Sequence, residues 1–374
     1  MRTGRDWRKF DFILLGVVLA LCAFGVAVIR SANLDTPDLA DLWRRQTTFG
    51  IIGLGLFFAI AVIPYEWLRH FWWVGYLIEL GLLVLVLFVG KSELGDVRRW
   101  FFIGNFRLQP SFVAFLFQIV ALAVVLDYEP TKGDRLAGVG DEERERPRGR
   151  FFLLSGLLAL VPAVLVFREP DMSTAFVFLA IWAMMAFVSE VRVGYLLGTT
   201  VLAVGALFPL WQAMQPYQRE RVLNFLNPSR DPDALYNVQQ ALISIGSGAL
   251  WGKGYGEGSL NRLHFLRVRH TDFIFSVVGE ELGFIGTVLL LVLFALLAWR
   301  VFRAALLAPD RFGRLLVVGV AAAIFSQVVV NIAMNLGLLP VTGVPLPFVS
   351  YGGSALVTLL TGLGLVEAVA MRHK

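Results

Sequence analysis

The chain is a succession of long apolar runs separated by polar connections. Runs close to the ~20 residues that cross a bilayer core lie at 11–30, 46–63, 71–90, 111–127, 151–167, 172–189, 193–211, 273–300, 313–338 and 350–371. The pattern predicts an all-α polytopic membrane protein with ten transmembrane helices, and one domain over 1–374. Two connections interrupt it. Residues 128–150 are rich in charges of both signs, including Asp141-Glu142-Glu143-Arg144-Glu145-Arg146, and read as a solvated tether. Residues 212–272 combine aromatics, glycines at 246, 248, 252, 254, 256 and 258, and an amphipathic stretch from Val238 to Ile245. A connection of that length is usually functional, and this one reads as a folded, partly helical cap. No internal repeat is visible, which counts against an inverted-repeat transporter.

Composition removes the soluble classes. Charged residues make up 16% of the chain, against about 25% in a soluble domain. Cys22 stands alone, so no intrachain disulfide forms. The basic start followed by Phe12–Ile29 resembles a signal peptide, but the apolar part is too long and more spans follow, so it reads as a retained helix. The net charge of +5 matters less than its placement. With the long loop set aside, lysines and arginines are in excess on the N-terminal side. The positive-inside rule then puts both termini in the cytoplasm and 212–272 outside.

The run His270-Thr271-Asp272-Phe273-Ile274-Phe275 ends that loop and opens an apolar helix, which sets one carboxylate at a membrane–water boundary. Thr271 or Asp272 is either the cap of a helix beginning at Phe273 or, for Asp272, a general base acting on something that arrives from the lipid. Glu280 and Glu281 follow about 12–14 Å along the helix and need a cavity or a partner. Glu79 on the third span reads as structural. Gln327, Asn331 and Asn335 share one helix face, as interhelical glue or as a polar wall. The basic groups expected outside include Arg98, Arg99, Arg107, Arg168, Arg219, Arg221, Lys253, Arg262, Arg267 and Arg269. Their guanidiniums suit a diphosphate. Freed amides at Gly352-Gly353, after Ser350, either serve a polar ligand or belong to a tight re-entrant turn. Two patterns fail. Ser247–Gly254 lacks the first glycine and the hydroxyl of a phosphate-binding loop, and His264 with His270 lacks a third zinc ligand.

Three motifs occur in order: Arg269-His270-Thr271-Asp272-Phe273-Ile274-Phe275, Gly279-Glu280-Glu281-Leu282-Gly283, and Leu339–Ser354 with its three prolines. Together they resemble the SEDS family (shape, elongation, division and sporulation). Arg98-Arg99-Trp100, Gln109-Pro110-Ser111 and Glu169-Pro170-Asp171 add to the likeness. The segment from Tyr217 to Val222 is nearer the family's elongation branch than its division branch. The resemblance implies a peptidoglycan glycosyltransferase of the bacterial cytoplasmic membrane that polymerises lipid II outside and releases undecaprenyl pyrophosphate. It implies a class B penicillin-binding protein and other elongation-complex membrane proteins as partners, and Asp272 as the catalytic residue. The candidate substrate-binding set is Arg98, Arg99, Arg219, Arg221, Lys253, Arg269, His270, Glu280, Glu281, Ser350, Gly352 and Gly353. A divalent cation, magnesium or manganese, is compatible with a diphosphate leaving group, and the sequence assigns it no ligands. The chain departs from the family at Phe112 and Phe115, where Glu and Lys are common, and at Leu260 and Arg267. A lipid II flippase and a non-catalytic scaffold for the cross-linking partner are the competing functions.

Overall fold

The computed structural model describes residues 7–90, 99–104, 106–127, 149–227, 232–258 and 269–372. Arg98, Leu260, Arg262, His264 and Arg267 lie outside the described residues, as does nearly all of the charged connection expected at 128–150.

Seven long helices lead into the long loop: α1 (Phe12–Ala32), α2 (Leu42–Val62), α3 (Leu68–Val89), α4 (Pro110–Leu126), α5 (Gly149–Arg168), α6 (Met172–Val188) and α7 (Val193–Ala213). The loop supplies α8 (Pro216–Leu226) and α9 (Pro232–Ser247). The chain ends with α10 (Ile274–Leu306), α11 (Arg311–Asn335) and α12 (Gly353–Ala370). Among the described residues, eight helices have the length and hydropathy to cross a membrane, and α4 and α6 are apolar helices of 17 residues. These are the ten spans expected. A hairpin was not expected: β1 (Phe101–Ile103) pairs antiparallel with β2 (Phe106–Leu108), and Gly104 turns it at φ +59°.

Burial separates inner from outer helices. α4, α11 and α12 are mostly enclosed, whereas α7 buries none of its side chains and exposes a mainly apolar surface. α12 lies closely along α2, where a side chain on Gly364 would run into the backbone of Phe57. Small residues permit such approaches in lipid, where packing rather than hydrophobicity drives helix association. Phe112 and Phe115 belong to this interior. Their rings meet edge-on at 5.7 Å, and Phe115 lies 4.8 Å from Phe178. The two aromatics therefore pack α4 against α6 without an ion pair.

The single span expected at 273–300 is two segments. Gly283 adopts φ +63° and ψ −158°, which breaks α10. The turn after α9 enters the break and replaces the lost ladder. Lys253 N and Gly254 N donate to the carbonyls of Glu280 and Glu281, both at 3.0 Å. Phe284 N and Ile285 N donate to Ala249 and Leu250, at 2.9 and 3.2 Å. Residues 284–306 extend about 34 Å and cross a bilayer core alone. The first segment, 274–282, is thereby free to pack with α9 and the turn that follows it.

The break demands glycine where backbones touch. A side chain on Gly248 would collide with the Gly279 carbonyl, and one on Gly252, at φ +78°, with that of Glu281. A left-handed residue with a side chain costs about 1–2 kcal/mol before any collision. Gly252→Ala is expected to lower the melting temperature in detergent by more than that strain alone. Gly16→Ala, with nothing within 4 Å, is expected to leave it unchanged. Equal melting of the two variants would refute the packed break.

Candidate active site

The entry to α10 is held by its backbone. Helix geometry starts at Ile274, and Phe273 at the N-cap makes no side-chain capping bond. The amide of Ser276 is shared between Phe273 O at 3.1 Å and Asn335 Oδ1 of another helix at 3.3 Å, and its hydroxyl donates to the same Oδ1 at 2.7 Å. The capping reading of Thr271 and Asp272 therefore fails, and the Asp272 carboxylate is released from that duty.

Three consecutive carbonyls before the helix are each pinned. Tyr351 N donates to His270 O at 2.9 Å. Ser350 Oγ donates to Thr271 O at 2.5 Å and accepts from Leu346 N at 2.8 Å. Asn331 Nδ2 and Asn335 Nδ2 donate to Asp272 O at 3.0 and 2.9 Å. Both asparagines are fully buried, so these bonds also satisfy amides that would be costly to leave unpaired. Gln327, on the same face, instead bonds Ala323 O of its own helix. Upstream, Arg269 donates to Ala32 O and Thr36 Oγ1, both at 2.6 Å, and ties the segment to α1.

Asp272 is half-buried, and a side chain on Gly343 would come 3.8 Å from Oδ2. Burial pushes its carboxyl up to about 6; a Thr271 hydroxyl bond and the nearby Arg221 and Arg99 hold it down, while Asp171 raises it further. These neighbours come from three elements. Arg99 precedes the hairpin and donates to the carbonyls of Glu169, at 2.9 Å, and Pro170. Asp171 caps α6 through Thr174 N and accepts from Gln109 Nε2 at 2.9 Å. Arg221 lies on α8, whose Tyr217 hydroxyl bonds Pro170 O at 2.8 Å. Arg99, Asp171, Ser173, Tyr217, Arg221 and Thr342 line a cavity of about 60 Å³. It shares Tyr217, Arg221, Pro340 and Val341 with a cleft of about 630 Å³ under α8 and α9.

The expected site residues thus divide. Arg99, Arg221 and Asp272 come together, and Ser350 and His270 belong to the backbone that holds Asp272. The His270 ring is driven down to about 4 by burial and by Arg269 and Arg107, so it is neutral at physiological pH. Lys253, Glu280 and Glu281 form a second cluster at the break. Lys253 Nζ lies 2.7 Å from Glu280 Oε1, while Glu281 accepts from the Ser31 hydroxyl and from Gly256 N. Arg219 closes the end of α7 by donating to Trp211 O and Gln212 O. Gly352 N donates to Gln46 Oε1 at 3.2 Å, and Gly353 opens α12 against Phe49. Gln109, Asp171 and Tyr217 were quoted only as parts of a resemblance. An aspartate before an apolar helix reads as a cap, which Asp171 is, so its effect on the charge of Asp272 shows only in the structure. Among the described residues, no three of His, Cys, Asp or Glu are grouped to hold a metal. A magnesium ion carried by phosphate oxygens needs only one or two carboxylates; Asp171 lines this cavity, and its charge acts on Asp272.

A raised carboxyl has a signed effect on stability. From about 3.8 unfolded to about 6 folded, the charge costs nothing below the first value, and its full penalty is present above the second. Asp272→Asn is therefore expected to melt at or above the parent at about pH 7.5 and to lose that advantage near pH 4. A variant less stable at neutral pH would show that the charge is held by favourable contacts.

Comparison with known proteins agrees with this architecture. Residues 11–374 match the family model FTSW_RODA_SPOVE, described as cell cycle protein. The peptidoglycan glycosyltransferase MrdB of Escherichia coli is 34% identical over 100% of this chain and 96% of its own. A probable peptidoglycan glycosyltransferase FtsW of Trichlorobacter lovleyi is also 34% identical, over 96% of this chain and 92% of its own. Among solved structures, a chain of a peptidoglycan synthase complex that coordinates polymerization and crosslinking superposes with a TM-score of 0.78 at 35% identity, over 97% of this chain and 98% of its own. The rod shape determining protein RodA of Thermus thermophilus follows with 0.70 at 34%, over 97% of each chain. With its ten spans and its three motifs in place, the chain belongs to the SEDS family of FtsW, RodA and SpoVE proteins.

Proposed function

We propose that this chain is a peptidoglycan glycosyltransferase that polymerises lipid II, with Asp272 as general base. One observation carries the assignment. A half-buried carboxylate, relieved of helix capping and fixed through its own backbone, lies within electrostatic reach of Arg99 and Arg221, which line one cavity together. The naming of relatives as peptidoglycan glycosyltransferases supports the same reading.

The reaction follows from those groups. Asp272 takes the proton of the GlcNAc 4-hydroxyl of an acceptor lipid II. The oxygen's electron pair forms a bond to the anomeric carbon of the growing strand's MurNAc. The bond from that carbon to the diphosphate oxygen breaks, with inversion from α to β, and undecaprenyl pyrophosphate leaves with the electron pair. Arg99 and Arg221 offset the charge gathering on the leaving diphosphate. A divalent cation, when bound, would neutralise part of the same charge. Glu280 and Glu281 serve the loop at the break, so they do not form the polar track through the bundle that a flippase needs.

The orientation belongs to the proposal. Arg8, Lys9, Arg300, Arg303 and Arg372 gather at the end of the bundle opposite Asp272, which favours a cytoplasmic membrane protein with both termini inside and the reaction outside. A class B penicillin-binding protein would cross-link the product, as the likeness to a synthase complex suggests.

The test is polymerisation of labelled lipid II by purified protein, with and without the cross-linking partner. Asp272→Ala is expected to reduce chain growth by about 10² to 10⁴-fold in a protein that melts normally. Arg221→Ala is expected to reduce it less, because Arg99 remains. Parental chain growth by Asp272→Ala would sink the assignment, and lipid translocation without polymer would select the flippase.

A further inference from the structure

At the end of the bundle remote from Asp272, a pocket of about 400 Å³ opens between the start of α1 and the ends of α10 and α12. α12 joins the two ends: its N-terminal turn follows Tyr351, which bonds His270, and Ala370 lines the pocket about 26 Å further along the axis. Arg8, Lys9, Arg300 and Arg303 line it, and among the described lining residues Asp11 is the one carboxylate. Asp11 is already committed. Its side chain caps α1 at Leu14 N and accepts from Arg300 Nε at 2.8 Å and Nη2 at 2.5 Å, while its amide donates to Glu367. The third guanidinium nitrogen of Arg300, a residue 7% exposed, has no hydrogen-bond partner. Positive charge therefore exceeds negative in a recess built partly on a buried arginine.

The remaining walls are apolar, and part of them faces outward. Phe12 is 71% exposed, and Ile13 and Leu307 are also exposed. Trp299, stacked by Arg300 at 5.2 Å, is exposed beside them, as tryptophans at a lipid–water interface are. A soluble anion would satisfy the cations and leave these apolar walls unused. A phosphate that carries acyl chains uses both.

We infer that this pocket binds the headgroup phosphate of an anionic glycerophospholipid from the leaflet on the N-terminal side, with its acyl chains along Phe12, Ile13 and Leu307. Basic recesses between transmembrane helices have this chemistry. The bound lipid would fasten α1 to α10, the helix whose other end carries Asp272, and the inference stands whether or not the chain is a polymerase.

Full-length protein in nanodiscs of equimolar phosphatidylglycerol and phosphatidylcholine provides the test, with retained lipid read by native mass spectrometry. The anionic lipid is expected to be preferred at least about 25-fold. Each cation near a membrane surface contributes about five-fold, so Arg303→Gln should lower the preference about five-fold and Lys9→Gln with Arg303→Gln about 25-fold. Neither side chain is buried, so the variants should fold, and a thermal melt checks that they do. Arg303→Lys should retain most of the preference. Equal retention of the two lipids, or an unchanged preference in the double variant, would overturn the inference. Stabilisation by inorganic phosphate equal to that by phosphatidylglycerol would overturn the lipid as the ligand and leave a bare anion site.

Discussion

Two carboxamides on one helix set the position of the single carboxylate on which the site depends. Asn331 and Asn335 lie a turn apart on α11, and both donate to the backbone oxygen of Asp272. Asn335 also accepts from Ser276 and so does the work a capping side chain would otherwise do. A neutral hydrogen bond contributes only about 0.5–1.5 kcal/mol, so the gain is chiefly geometric. With the preceding two carbonyls held by Ser350 and Tyr351, the backbone is settled, and the carboxylate stands within reach of Arg99 and Arg221 without acting as a cap. A base held within a fraction of an ångström is what proton transfer requires.

The broken helix makes this arrangement compatible with a membrane span. Phe284–Leu306 is long enough to cross the bilayer alone, so the segment 274–282 can belong to the cap built from the long loop. The turn after α9 fills the break with backbone hydrogen bonds, and Lys253, Glu280 and Glu281 lock it from the sides. Because α9 also roofs the large cleft, the lock at the break and the floor of the site are parts of one structure. A carboxylate pair that looks like chemistry when read along the chain is thus a fastening device, paired as buried charges must be.

Much of this was legible in the sequence. The ten apolar runs fall on the ten helices because span length is dictated by bilayer thickness. The partly helical cap was legible from the Val238–Ile245 amphipathic stretch, which lies in α9. Asp272 stood out because it joins a long polar loop to an apolar helix. Several features were hidden by physical causes. The hairpin at 101–108 is too short and aromatic to show alternation. The break at Gly283 is invisible because glycine inside an apolar run is common in membrane helices. The distinction between Asn331 as glue and as wall depends on the partner's backbone, which no periodicity encodes. Phe112 and Phe115, puzzling as replacements for a charged pair, are explained by Phe178, which sits more than sixty positions away in the chain.

The central claim is that the charged form of Asp272 accepts a proton in the rate-limiting chemistry. The most direct measurement is the pH dependence of single-turnover lipid II polymerisation by the purified protein. Since burial places the carboxyl at about 6, the rate should climb with pH on a one-proton curve, reach half its plateau near that value, and remain flat through neutrality. A rate independent of pH between about 5 and 8, in protein that stays folded across the range, would contradict the account.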